Sequence, residues 1–212
     1  MADAEHIWTI VVGGGSGQRF GTLKQYEELG SRRVIDHARA AADVASEGVV
    51  VVVPPDDVDR EGGVAGGATR SDSVRAGLAA VPVDATIICV HDAARPFADP
   101  SLFDRAVAAV VAGADGAIPA IAVTDTIKVV ADGVVVATPD RASLVAVQTP
   151  QAFRADVLRR APTSADTSTD DAALVEAIGG RVVVVEGDTR NRKSTRPDDL
   201  EWARRELETS RP

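Results

Sequence analysis

Ile7-Trp8-Thr9-Ile10-Val11-Val12-Gly13-Gly14-Gly15-Ser16-Gly17-Gln18-Arg19-Phe20-Gly21 is the stretch whose reading decides the fold. Ile7 to Val12 is apolar and β-branched without alternation, the pattern of a strand buried on both faces, and Gly13 ends it at once. Glycines directly after a first strand let the backbone approach a ligand and aim its N–H groups at anions. Two well-known loops do not fit. A dinucleotide fingerprint begun at Gly15 needs glycine where Phe20 stands, and begun at Gly13 it needs glycine where Gln18 stands. A P-loop needs Gly-Lys-Ser/Thr, whereas Gly21 is followed by Thr22-Leu23-Lys24. What remains is a glycine loop carrying Arg19 and then Lys24, cations suited to a triphosphate; the plain alternative is a surface loop with two solvated cations.

Outward from this loop, short apolar runs alternate with alanine-rich amphipathic stretches. Strands are expected at Val49–Val53, Ala85–Val90, Ala117–Ile121 and Val182–Val185. Helices are expected at Val34–Val44, Ser71–Val81, Pro100–Gly113, Thr169–Ile178 (with Ser168 or Thr169 as N-cap) and Pro197–Leu207. This rhythm predicts an α/β protein, a Rossmann-like, mostly parallel sheet with helices on both faces, in one domain spanning 1–212. One segment interrupts it. Thr126–Val130, Asp132-Gly133 and Val134–Ala137 read as a hairpin with a type I′ turn, within an arm at about 124–148 that either dimerises or forms an ordinary edge. Such a ribbon would expose Ile127, Val129, Val134 and Val136, and a dimer would cover them.

Composition narrows the function. Lys and Arg number 23 against 32 Asp and Glu, a net charge of −9, which disfavours nonspecific binding to nucleic acid or anionic membrane. Aromatics are 3% of residues, too few for a base-stacking surface. Cys89 is the single cysteine, so no intrachain disulfide forms and a cytoplasmic location is expected. No apolar run is long enough to span a membrane, and the acidic start Met1-Ala2-Asp3-Ala4-Glu5 is unlike a signal peptide. Asp92 follows a buried strand at its carboxyl end, where open α/β sheets bind ligands; its neighbour His91 reads as structural and Cys89 as inert core.

Gly13-Gly14-Gly15-Ser16-Gly17-Gln18-Arg19 with Lys24-Gln25-Tyr26 resembles the signature of sugar-phosphate nucleotidyltransferases, and most closely the 2-C-methyl-D-erythritol 4-phosphate cytidylyltransferases. The resemblance continues in order through Gly66-Gly67-Ala68-Thr69-Arg70-Ser71-Asp72-Ser73-Val74, Val90-His91-Asp92-Ala93-Ala94-Arg95-Pro96, Asp125-Thr126-Ile127-Lys128, Gln148-Thr149-Pro150-Gln151, Thr169-Asp170-Asp171-Ala172 and Lys193-Ser194-Thr195-Arg196-Pro197-Asp198-Asp199-Leu200. It implies a homodimeric enzyme that transfers CMP from CTP to a sugar-alcohol phosphate in non-mevalonate isoprenoid biosynthesis, releasing pyrophosphate. Another polyol phosphate such as ribitol 5-phosphate, or a noncatalytic nucleotide-binding relative, are the competing readings.

By the same resemblance, Arg19, Lys24 and Lys193 would stabilise charge on the reacting phosphates, and Asp92 would contact Mg²⁺. Gly13, Gly14, Gly15, Gly17, Gly67, Ala68 and Ser73 would hold the cytidine nucleotide, and Thr126 and Arg141 the acceptor phosphate across the dimer. Arg70 and Arg95 match family positions, with Arg95 expected to orient Asp92 or the phosphates.

Overall fold

The structure is a computed structural model that describes residues 5–15, 23–161 and 170–209. Its strands are β1 (Ile7–Val12), β2 (Glu28–Leu29), β3 (Arg32–Arg33), β4 (Gly48–Val53), β5 (Val64–Ala65), β6 (Ile87–Asp92), β7 (Gly116–Ala122), β8 (Val129–Ala131), β9 (Val134–Ala137), β10 (Val145–Val147), β11 (Gln151–Arg154) and β12 (Val182–Glu186). The helices are α1 (Val34–Ala45), α2 (Val58–Glu61), α3 (Arg70–Ala80), α4 (Pro100–Val111), α5 (Ala155–Arg160), α6 (Ala172–Ala177) and α7 (Pro197–Thr209).

An eight-stranded sheet organises the chain. β1 lies between β4 and β6 and is parallel to both, β4 extends to β5, and β12 is parallel to β7. β11 is antiparallel to both β6 and β7, which therefore run in the same direction, and β10 pairs antiparallel with the far end of β7. The mostly parallel sheet thus carries one reversed insertion, made by the chain returning from the arm. Sequence reading misses β10 and β11 because Gln151-Ala152-Phe153-Arg154 is short and has no apolar run. Phe153 nevertheless fills the sheet face fully buried, and only a glycine at position 116 leaves space for its ring.

Successive residues along the central strands serve opposite faces. Val11, Val51 and Cys89 pack with Ile35, Leu102 and Phe103 on the side covered by α1 and α4. Ile10, Val52, Ile88 and Val90 pack with Val74, Val157 and Val175 on the side covered by α3, α5 and α6. Burial on both faces explains why β1, β4 and β6 read as unbroken apolar runs. It also brings the carboxyl ends of β1 and β6 side by side, with Val12 opposite Asp92. Cys89 is fully buried, and burial pushes its thiol up to about 12, so it stays an unreactive core group.

Most element boundaries shift by one to three residues from the sequence expectation, and two of the shifts bear on the site. Asp92 is the last residue of β6, which runs two residues past the expected end at Val90. α6 begins only at Ala172 with Asp171 as its N-cap position, so the expected cap at Ser168 or Thr169 is displaced; those two residues lie outside the described ones. The hairpin forms as expected, with Asp132 (φ 50°) and Gly133 (φ 78°) in its turn. Thr126 to Lys128 stay outside its strands. β8 and β9 pair only with each other, and Ile127, Val129, Val134 and Val136 are all exposed.

Candidate active site

A cavity of about 450 Å³ opens where β1 and β6 end. Gly13 to Gly15 form one wall, Gly67 to Arg70 at the start of α3 another, and Lys24, Asp92 and Lys193 converge from three further segments. Close approach makes the glycines necessary. A Cβ on Gly67 would collide with Asp72, and one on Gly14 would stand 3.1 Å from Ser73 Oγ. Ser73 is buried and pins this corner: its hydroxyl donates to Thr69 O (3.0 Å) and accepts from Gly67 N (3.2 Å).

α3 starts at the cavity because Thr69 and Asp72 form a reciprocal capping box. Thr69 Oγ1 accepts from Asp72 N (3.0 Å) and Asp72 Oδ2 accepts from Thr69 N (3.0 Å). The positive end of the helix dipole therefore points at the cavity, the arrangement that favours a bound anion.

The charged centre is Asp92. Arg70 Nε donates to its Oδ1 (3.2 Å) and Lys193 Nζ to its Oδ2 (2.6 Å), while Arg70 Nη1 also lies 2.8 Å from Asp171 Oδ2. Burial would push the Asp92 carboxyl up, but the charges of Arg70 and Lys193 outweigh it and hold the group well below the usual carboxylate range. Asp171 goes the other way, raised by burial despite Arg70. The two carboxylates are buried and the two cations part-exposed, so removing a cation strands a buried negative charge and is destabilising. In the sequence Asp171 stands at a helix start and in one of the motifs of the resemblance, and neither signals that its carboxylate is buried against Arg70.

Lys193 reaches Asp92 because its loop is tied down at several points. Ser194 N donates to Ala94 O (2.8 Å), and Asn191 Nδ2 donates to Thr149 O (2.8 Å). Arg95, half-buried, donates through Nη1 to Asn191 O (2.7 Å) and through Nη2 to Val147 O (3.3 Å). Its hydrogen bonds go to main-chain carbonyls, not to Asp92, so Arg95 fastens the Lys193 loop to the sheet. Gln148 and Asp188 add a reciprocal pair, Nε2 to O at 2.7 Å and N to Oε1 at 3.1 Å.

His91 is fully buried, its ring tilted against that of Phe103 with the centroids 5.4 Å apart. Asp92 N donates to Thr149 Oγ1 (3.0 Å), which leaves the threonine hydroxyl to donate to His91 Nδ1 (3.1 Å). His91 Nε2 then carries the proton and donates to Arg95 O (3.2 Å). That chain fixes one neutral tautomer, and burial lowers the imidazole pKa to about 4. His91 is a structural support behind Asp92, as its sequence context indicates.

Gly13, Gly14, Gly15, Lys24, Gly67, Ala68, Ser73, Asp92 and Lys193 thus share one cavity. Arg19 and Gly17 lie outside the described residues. Thr126 and Arg141 line a different cavity, of about 810 Å³, at the base of the arm, where Arg141 Nη1 donates to Thr124 O (2.6 Å). Within one chain the two cavities share no residue. A third hollow of about 440 Å³ behind α3 is mostly apolar, and Arg159 on its rim is bound to Pro82 O and Val83 O. Among the described residues no cluster of three His, Cys, Asp or Glu could cage a metal, and no helix is long and apolar enough to cross a membrane.

An open α/β sheet with a glycine wall, a helix N-terminus and converging cations at its carboxyl edge defines the class of α/β proteins that hold an anionic ligand at the end of a parallel sheet. Residues 7–209 match the family model of 2-C-methyl-D-erythritol 4-phosphate cytidylyltransferase, and the chain belongs to that family. It is 45% identical over 210 residues to the 2-C-methyl-D-erythritol 4-phosphate cytidylyltransferase of Frankia casuarinae, covering 92% of this chain and 78% of that protein. It is 46% identical over 222 residues to the bifunctional enzyme IspD/IspF of Rhodopseudomonas palustris, covering 94% of this chain but 55% of that one. The chain spans little more than half the length of such bifunctional relatives. The crystal structure of 2-C-methyl-D-erythritol 4-phosphate cytidylyltransferase from Thermus thermophilus superposes with a TM-score of 0.81 at 30% identity, covering 94% of this chain and 98% of that one.

The buried neutral His91 makes a test of the supporting chain. Unfolding returns its pKa from about 4 to the ordinary value of 6.5, so the unfolded state binds more protons between these values and stability falls as pH drops through that window. His6, raised by Glu47, acts in the opposite direction from an exposed position. In urea titrations, wild type should lose stability between pH 7 and about 5, and His91→Asn should lose distinctly less over the same interval. Equal slopes in the two proteins would show that His91 is not held neutral.

Proposed function

We infer that this protein transfers the CMP moiety of CTP to the phosphate of 2-C-methyl-D-erythritol 4-phosphate. A phosphate oxygen of the acceptor forms a bond to the α-phosphorus of CTP, the bond from that phosphorus to the bridging oxygen breaks, and pyrophosphate leaves with the electron pair. The observation that carries this reading is the convergence of Lys24, Lys193, the α3 N-terminus and ionised Asp92 on one cavity in a chain of this family.

Little covalent work falls to the side chains, so catalysis is positioning and stabilisation of charge on the phosphate oxygens. Lys24 and Lys193 serve that purpose, with Arg19 as the third cation. The glycine walls and Ser73 receive the cytidine through close backbone approach, and Ala68 lies beside them. Asp92 suits Mg²⁺: it is a buried but ionised carboxylate facing the phosphate cavity, the hard oxygen donor that this cation takes together with nucleotide oxygens. The ion, when bound, would neutralise charge on the triphosphate and polarise its phosphorus–oxygen bonds. Arg70 and Lys193 keep Asp92 ionised and oriented for that role.

The acceptor phosphate is assigned to Thr126 and Arg141 of a second subunit. Two observations support a two-fold dimer: the arm's valines are exposed on a ribbon paired only with itself, and the Thr126–Arg141 cavity is separate from the nucleotide cavity within one chain. Buried, unpaired Cys89 and soluble phosphorylated substrates accord with a cytoplasmic location.

Pyrophosphate release with CTP, Mg²⁺ and 2-C-methyl-D-erythritol 4-phosphate tests the assignment. Wild type should turn over, and Lys24→Ala, Lys193→Ala and Arg19→Ala should each reduce kcat by roughly 100-fold or more. Release only with ribitol 5-phosphate would reassign the acceptor, and none with either would contradict catalysis. Arg141→Ala should raise the acceptor KM with little effect on that of CTP. Mixing Arg141→Ala with Lys24→Ala subunits should restore part of the activity through the one intact composite site, whereas no rescue after verified subunit exchange would contradict the shared site.

A further inference from the structure

Lys24 stands on a short 3₁₀ turn, Lys24–Tyr26, closed by Tyr26 N to Leu23 O (2.8 Å) and Glu27 N to Lys24 O (3.3 Å). Three residues away from the nucleotide cavity hold that turn from below. Two guanidiniums lie over the Tyr26 ring, Arg60 at 4.4 Å and Arg33 at 5.5 Å from its centroid. A single carboxylate clasps both. Arg33 donates to Glu61 through Nη1 (2.7 Å) and Nη2 (2.9 Å), and Arg60 donates through Nε (2.7 Å). The Glu61 side chain is only 5% exposed, and hydrogen bonds from Arg33, opposed by burial and helped by Arg60, keep it ionised below its usual range. Arg33 is itself fixed at the start of α1 by Asp36, at 2.9 Å from Nε and 2.7 Å from Nη2. The same turn holds Gln25, buried, whose Nε2 donates to Gly15 O (3.4 Å). Thus the turn that these groups hold carries Lys24 and, through Gln25, reaches the glycine wall.

We propose that Glu61 is a positioning residue for the triphosphate end of the site: by clasping the two guanidiniums that cover Tyr26, it sets the turn that presents Lys24. The arrangement has the physical features such a role requires. A bidentate arginine–carboxylate pair is the most directional of ionic contacts, and two cations against one aromatic ring fix its plane. None of the three side chains lines the nucleotide cavity, so their effect on the triphosphate passes through the turn that presents Lys24. The inference rests on the reading that Lys24 grips the triphosphate, and it specifies what holds Lys24 in place.

Calorimetric titration with CTP and with CMP, in Mg²⁺ and without acceptor, separates positioning from general damage. Glu61→Gln should weaken CTP about tenfold while leaving CMP within about twofold, because CMP lacks the phosphates that Lys24 reaches. The double variant Lys24→Ala/Glu61→Gln should bind CTP no more weakly than Lys24→Ala alone, the non-additivity expected of residues acting in series. Arg60→Gln, at a side chain more than half exposed, should move CTP affinity in the same direction and provides the test should Glu61→Gln fail to fold. Equal losses for CTP and CMP, or a full further loss on the Lys24→Ala background, would overturn the proposal. Unchanged CTP affinity in Lys24→Ala itself would overturn the reading of Lys24, and the proposal with it, an outcome distinguishable from additive loss.

Discussion

The Asp92 carboxylate, taken out of water at the end of the central strand and kept charged by Arg70 and Lys193, is the interaction on which the rest of the site depends. An unpaired buried carboxylate would take up a proton and lose its value as an oxygen donor. Its two cations come from distant parts of the chain, one from the first turn of α3 and one from the loop before α7. Holding them to the same carboxylate draws the start of α3 and the loop before α7 to the rim of one cavity. The elements around it serve that purpose: the Thr69–Asp72 box starts α3 at the correct point, and Asn191, Arg95 and Gln148 fasten the Lys193 loop.

The site therefore has two supports outside the cavity that Lys24, Asp92 and Lys193 line. Behind Asp92 runs the neutral chain of Thr149 and His91, which ends on Arg95 O and so meets the fastening of the Lys193 loop. Beneath Lys24 lies the ionic platform of Glu61, Arg33 and Arg60. Each lies outside the space a nucleotide would fill, and each bears on one of the cations that face it. Pre-organisation of this kind lets charge stabilisation operate without reorganising the protein during reaction. The arm follows a different logic, since its valines are exposed and its pairing is internal.

Much of the fold was legible because local and global preferences agree. β1, β4, β6 and β12 announce themselves through unbroken β-branched runs, and the Asp132-Gly133 turn through its need for positive φ. β11 was hidden, since Gln151 and Arg154 bracket only Ala152 and Phe153, and its pairing between β6 and β7 is a tertiary fact. In the site, glycine spacing located the cavity wall, and motif resemblance brought in Lys193 from far along the chain. Asp171, Asn191 and Glu61 were not legible as site supports, because burial and pairing give them their roles and sequence spacing carries neither.

The central claim is that Asp92 enters the reaction already ionised, by virtue of Arg70 and Lys193. A carbon-13 titration of the aspartate carboxyls measures this directly, with the Asp92 resonance assigned by its loss in Asp92→Asn. The account predicts that the Asp92 signal in wild type is still that of a carboxylate at pH about 3, where an ordinary aspartate is mostly protonated, and that Lys193→Ala moves its midpoint upward. An ordinary midpoint near 3.8 in wild type, unchanged by Lys193→Ala, would contradict it.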